Sequence, residues 1–260
     1  MALGELWMRW LARDHLLVTL GLAVLVGLAW FDLLRRAGVA SPISMSREMA
    51  MPQATPWGPG DMAMTATMWA VMMAAMMFPS AAPMLLLFST VNRKRSAQGT
   101  PVIPTGIFLL GYLLIWSGFS LVATGVQWGL HTVMLLSPGL AVTNPLVSGL
   151  CLIAAGAYQF TPLKYVCLQQ CQSPLDFLFT HWRDGRSGAF LMGLSHGGYC
   201  LGCCWILMAL LFVGGVMNLT WIALIAAFVL IERVVARGVL PSRLAGGLLI
   251  VWGFRLVWSA

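Results

Sequence analysis

One short apolar stretch carries an imidazole and three thiols as His196-x3-Cys200-x2-Cys203-Cys204, with Met208 one turn further on. At 3.6 residues per turn the first four side chains fall within an arc of about 100°, so a single point can face all of them. Thiolate and thioether sulfurs are soft donors that suit Cu(I), and thiolates with imidazole also suit Zn(II). A lone cysteine in such a stretch is an ordinary buried residue. Three with a histidine one turn away are different, because an imidazole at membrane depth is costly and marks function. Gly197 and Gly198 fall between the histidine and the first thiol, which predicts a helix loose enough to close around an ion.

Methionine is the second concentration of soft donors: of 17 in the chain, ten lie between Met45 and Met77. Met49-x-Met51 and Met62-x-Met64 resemble the Met-x-Met pairs with which copper-uptake proteins collect Cu(I). Met64, Met68, Met72 and Met76 recur every four residues and form one slowly drifting stripe of a helix, with Met73 and Met77 on roughly the opposite side. A methionine stripe is also good packing material, because the side chain fills irregular gaps between helices. The stretch Phe78-Pro79-Ser80-Ala81-Ala82-Pro83 predicts a break within the membrane, since each proline removes a donor and frees a carbonyl one turn earlier.

Cys167 and Cys171 share a helix face at i, i+4 and suit a transfer site or a redox pair. Asp61 and Glu232 sit at the predicted ends of apolar stretches, where each either attracts a cation or anchors the helix at the interface, Glu232 by pairing with Arg233 or Arg237. Cys151 reads as core, and His131 and His181 as loop residues. A phosphate-binding glycine loop, a His-Glu-x2-His motif and a nucleophile elbow are all missing from the sequence, which argues against ATP-driven pumping and ordinary hydrolysis.

These side chains need elements to hold them, and the elements are apolar stretches near the roughly 20 residues that a spanning helix requires. Seven are visible, at about 16–34, 64–88, 105–128, 146–160, 189–213, 219–235 and 240–258, or six if the last is re-entrant. The fold class is therefore an all-α, polytopic transmembrane helix bundle forming one domain over residues 1–260. Two connections are too long for simple turns: an outer Met- and Pro-rich segment at 37–60 and a cytoplasmic connection at 161–188. The first stretch follows Arg9 and Arg13 and ends in Arg35-Arg36 without a small-residue cleavage site, which reads as a retained helix and not a secretory signal. With the N-terminus inside, the cytoplasmic side collects eleven Lys and Arg residues, Lys164 and Arg233 among them, against four outside, as the positive-inside rule requires.

Composition agrees: 60% of residues are hydrophobic and only 9% are charged, against roughly a quarter charged in a soluble domain. The net charge of +7 comes from cations at the ends of apolar runs, a membrane distribution and not a nucleic-acid groove.

Three blocks carry a resemblance to a known family: Trp69-AVMMAAMMFPSAAPM-Leu85, Ala155-GAYQFTPLKYVCLQQCQSP-Leu175 and Gly193-LSHGGYCLGCCWILMALLFVGGVM-Asn218. With Glu232-Arg233 they resemble domain of unknown function 2182, described as metal-binding integral membrane proteins. The family pattern has Glu-Lys where this chain has Glu232-Arg233. The resemblance implies metal binding at the Met-rich helix and at the block from His196 to Cys204.

The expected function is to bind and relay a soft metal ion in a bacterial inner membrane. That ion is Cu(I), with zinc as the alternative, taken up for acquisition or for delivery to a soluble carrier or a copper enzyme under assembly. An oligomer is compatible with this. A membrane thiol-disulfide oxidoreductase coupled to quinone would explain the cysteines but leave the methionines idle. An accessory subunit without metal explains neither.

Overall fold

Helix-start signals in the sequence set most of the boundaries. Proline occupies the first turn of α2 (Pro59–Ser96), α4 (Pro145–Tyr158), α5 (Pro162–Gln172) and α6 (Pro174–His181), where its missing N–H costs nothing. Asn144 and Thr161 accept backbone N–H groups in front of α4 and α5, and Asn218 does so in front of α9 (Leu219–Leu230). The remaining helices are α1 (Ala2–Val39), α3 (Thr105–Thr132), α7 (Gly185–Ala209), the short α8 (Leu211–Gly214) and α10 (Leu240–Trp258). A π-helical turn, Ile231–Val235, continues α9. The computed structural model describes residues 2–39, 57–99, 101, 103–137, 140–235 and 238–260, and within them the only strand-like pairing is one isolated bridge between Leu136 and Val142. Met45, Met49 and Met51 lie outside the described residues.

Five helical segments are long and apolar enough to cross a membrane: 18–38, Pro59–Ser96, Thr105–Thr132, Gly185–Gly214 and Leu240–Trp258. A sixth arises if α4 and α5, bent by 64° at their junction, count as one broken span. Length and composition thus give five or six where hydropathy along the sequence suggests seven. The difference is at 219–235, where a 12-residue helix and a 5-residue π turn make a short element. The 161–188 segment is not an open connection: it forms α5 and α6, and α5 folds back against α7. The Pro79 and Pro83 region does not end its helix either, because α2 runs through both prolines to Ser96.

Helix ends gather on two sides. At one, the Trp57 and His131 rings lie 5.4 Å apart and the Val142 N–H donates to the Phe212 carbonyl at 2.8 Å. At the other, Asn92 donates to the Ile103 carbonyl at 2.6 Å, and Arg95 pairs with Asp184 at 2.8 Å while lying over the Trp182 ring. α2 is the central element: 61% of its apolar window is buried, against 17% for those of α1 and α10. Its inward residues include Trp69, whose indole N–H donates to Gln127 at 2.7 Å.

Without a hydrophobic driving force between helices in lipid, close packing depends on small residues. Gly149 and Gly156 of α4 meet Gly253 and Gly246 of α10 backbone to backbone. α3 and α7 approach in the same way at Gly111 and Gly193. A Cβ on Gly193 would collide with the Phe108 carbonyl, a backbone group that cannot rotate away. Gly193→Ala is therefore expected to cost about 1–3 kcal/mol, read as a lower thermal unfolding midpoint in detergent. Gly198→Ala is the control, because nothing within 4 Å faces its added methyl.

Candidate metal centre

α7 carries Cys200, Cys203 and Cys204 on its buried face, all with no exposed surface. The helical offset brings the two later thiols over the Cys200 carbonyl, to which Cys203 donates at 3.2 Å and Cys204 at 3.1 Å. α3 contributes Tyr112, whose hydroxyl lies 3.0 Å from the Cys200 sulfur. α2 contributes Met77 and Ser80, and α5 contributes the buried Cys171. Cys167 packs one turn earlier, with its sulfur against Gly202. Cys167 and Cys171, read from the sequence as a separate transfer site, thus lie against the α7 cysteines.

A guanidinium occupies the middle of this sulfur nest. Arg233 Nη1 donates to Cys200 Sγ at 2.8 Å and Ser80 Oγ at 3.0 Å, and lies 4.0 Å from Met77 Sδ. Nη2 donates to Cys203 Sγ at 3.1 Å, Cys204 Sγ at 2.9 Å and the Cys200 carbonyl at 2.9 Å. A buried cation must be matched by anions or strong acceptors, and here most of them are sulfur. Arg233, expected at the cytoplasmic end of the 219–235 stretch, is buried among the thiols instead.

Its neighbour Glu232 faces elsewhere. A π turn advances less than an α turn per residue, and such turns cluster at functional sites; here adjacent side chains enter two separate polar groups. Glu232 pairs with Lys164 at 2.7 Å, with both side chains essentially inaccessible, and accepts from Ser242 at 2.5 Å. Lys164 also donates to Gln159. The expected partners of Glu232 were Arg233 or Arg237; the partner found is Lys164, because α5 folds inward.

The other sequence-derived candidates divide. Met68, Met72, Met73 and Met76 are buried on α2 with Met77, whereas Met64 is 66% exposed. Met77, assigned to the far side of the stripe, is the methionine that reaches the nest. Asp61 caps its own helix, its carboxylate accepting from the Gly58 N–H at 2.9 Å. Met208 is buried further along α7. His196 sits among the rings of Phe108, Tyr112 and Phe177, with centroids at 6.0, 5.9 and 5.3 Å, and its Nδ1 has no hydrogen-bond partner among the described residues. No three His, Cys, Asp or Glu side chains among the described residues are placed to hold a metal ion as they stand. The three thiols embrace a guanidinium, which is wider than a metal ion.

Sequence reasoning missed Arg233, Lys164, Ser80 and Tyr112. The signal for the first was Glu232-Arg233 inside an apolar stretch, since charge at membrane depth is expensive and seldom idle.

A family model described as a copper chaperone, PpoB2, matches residues 66–256. The chain belongs to this copper-chaperone family. No curated protein and no solved structure matches the chain. The residues matched to the copper-chaperone family include all the thiols of the nest, Met77, Arg233 and the Lys164–Glu232 pair, and leave out α1, Asp61 and Met64. A copper-related role therefore agrees with the metal-binding resemblance read from the three sequence blocks. The chemistry of the site fits copper as cargo: three thiols and a thioether are a soft set that hard cations would avoid.

Proposed function

We propose that this chain is a membrane-embedded copper chaperone whose cargo is Cu(I), held by Cys200, Cys203 and Cys204 with Met77 at the edge and Cys171 behind Cys203. The observation that carries the reading is the gathering of these sulfurs, from three helices, around one buried guanidinium. His196 is one turn from Cys200 and serves as a further donor if its ring turns. Met68, Met72 and Met76 supply soft, weakly held steps toward the nest from the Met64 end of α2. We assign the chain to a bacterial inner membrane with the N-terminus inside. The sided distribution of Arg93, Lys94, Arg95, Arg183 and Arg186 supports that orientation, even with Lys164 and Arg233 removed from the count as buried. The metal passes to a soluble carrier or a copper enzyme under assembly. The resemblance to domain of unknown function 2182 supports the same site.

Differential thiol labelling with mass spectrometry tests this. Metal bound through thiolates shields them. Cu(I) should protect Cys200, Cys203 and Cys204 from alkylation, and a Cu(I) chelator should restore their reactivity at least tenfold. A disulfide among Cys171, Cys203 and Cys204 that follows quinone redox state and ignores copper would replace this reading with the oxidoreductase.

A further inference from the structure

We propose that Arg233 is a displaceable counter-cation: its guanidinium holds the three thiols in the copper-free chain, and entering Cu(I) expels it into the cavity beside it. This rests on the copper-chaperone reading above and adds to it how the site is kept ready and how it loads.

Three observations support the exchange. The guanidinium reaches all three thiol sulfurs at 2.8–3.1 Å, within hydrogen-bonding range, and lies between them. The adjacent carboxylate, Glu232, is committed to Lys164, and among the described residues Arg233 makes no ion pair with an acid. Finally, a cavity of about 100 Å³ adjoins it, lined by Ser80, Pro83, Cys171, Gln172, Pro174 and Arg233 itself. About 10–15 Å³ is enough to admit one water, so this space can hydrate a guanidinium that has left the sulfurs.

The exchange balances. Cu(I) and the guanidinium each carry one positive charge, so the swap of cations is itself neutral, and the charge of the nest falls by one for each thiol proton released. The N–H···S bonds from Arg233 break and Cu–S bonds form. Each thiol that is still protonated when it ligates the metal releases its proton to water in the cavity, and no electrons move. A cationic placeholder also discriminates among ions: an entering ion must outbid N–H···S bonds at sulfur, which a soft monocation does and a hydrated hard cation does not.

Two measurements on the full-length chain in detergent test the proposal. In the first, wild-type protein is treated with phenylglyoxal before and after one equivalent of Cu(I), and modification of Arg233 is followed by mass spectrometry with copper measured on the same sample. Arg233 should be protected in the copper-free chain and react at least tenfold faster once copper is bound. Stoichiometric copper with Arg233 still protected overturns the exchange and leaves the chaperone reading intact, whereas no bound copper overturns both. In the second, Arg233→Gln keeps a polar side chain but has no cation to displace. With its fold verified by size-exclusion chromatography, it should bind Cu(I) at least tenfold more tightly than wild type against a competing chelator. Equal or weaker binding would mean that the guanidinium supports the loaded state, and the proposal would fail.

Discussion

Replacing Cys200 and Cys203 together by serine is expected to lower bound copper at least tenfold, from near one ion per chain to background, in protein that still folds. Serine is close to cysteine in size, and its hydroxyl still accepts a hydrogen bond from Arg233, so the polar network around the guanidinium survives. What is lost is softness: a neutral hydroxyl is a poor Cu(I) ligand. The measurement is elemental analysis of purified protein, and copper retained at wild-type level would sink the three-thiol site. Leucine at Met68, Met72 and Met76 is the comparison, because it keeps volume and apolarity. Their replacement leaves the three thiols in place, so it should slow loading without lowering the final copper content.

The second large effect is on stability. Lys164→Met leaves the Glu232 carboxylate buried with Ser242 as its remaining side-chain donor. Breaking one side of a buried ion pair costs about 3–5 kcal/mol, whereas replacing both partners is often close to neutral. Lys164→Met should therefore aggregate or melt well below wild type, and Lys164→Met with Glu232→Gln should recover most of the loss, as followed by fluorescence-detected size exclusion on heating. A single variant as stable as wild type would show that water reaches this pair. Copper content per folded chain should be unchanged in the double variant, because among the described residues neither side chain hydrogen-bonds a thiol.

Much of this was legible in the sequence for a definite reason. The apolar stretches and proline starts are local signals, so the helix bundle and the buried face of α7 follow from periodicity alone. Helical spacing likewise put Cys200, Cys203 and Cys204 on one side. What spacing cannot supply is the partner across an interface. Met77 was placed on the outer side of its stripe, but α2 is central and buried on more than one face, so the stripe that looked inward was not the one that met the cysteines. Lys164, in the 161–188 connection, and Arg233, near the end of the 219–235 stretch, both read as cytoplasmic cations because each stands at the end of an apolar run. The bend of 64° between α4 and α5, and the π turn after α9, redirect them inward. Asp61, read from the sequence as a cation attractor or an interfacial anchor, stands at a helix start, where a carboxylate is favoured.

The length of α2 has a mechanical consequence. Its 38 residues make a rod of about 57 Å at 1.5 Å per residue, nearly twice the roughly 30 Å of a bilayer's hydrocarbon core. Tilting takes up only a small part of that excess, so a bilayer crossed by α2 would leave its ends overhanging, the basic one pinned through Arg95 to Asp184 and Trp182. Met77 falls at the midpoint of the rod. The depth of the sulfur nest below either headgroup layer is therefore fixed by how far each end of α2 protrudes. Inserting or deleting one turn on either side would move the nest about 5.4 Å toward one leaflet. The helix serves as a depth gauge, and membranes of different thickness would present the same nest at different distances from water.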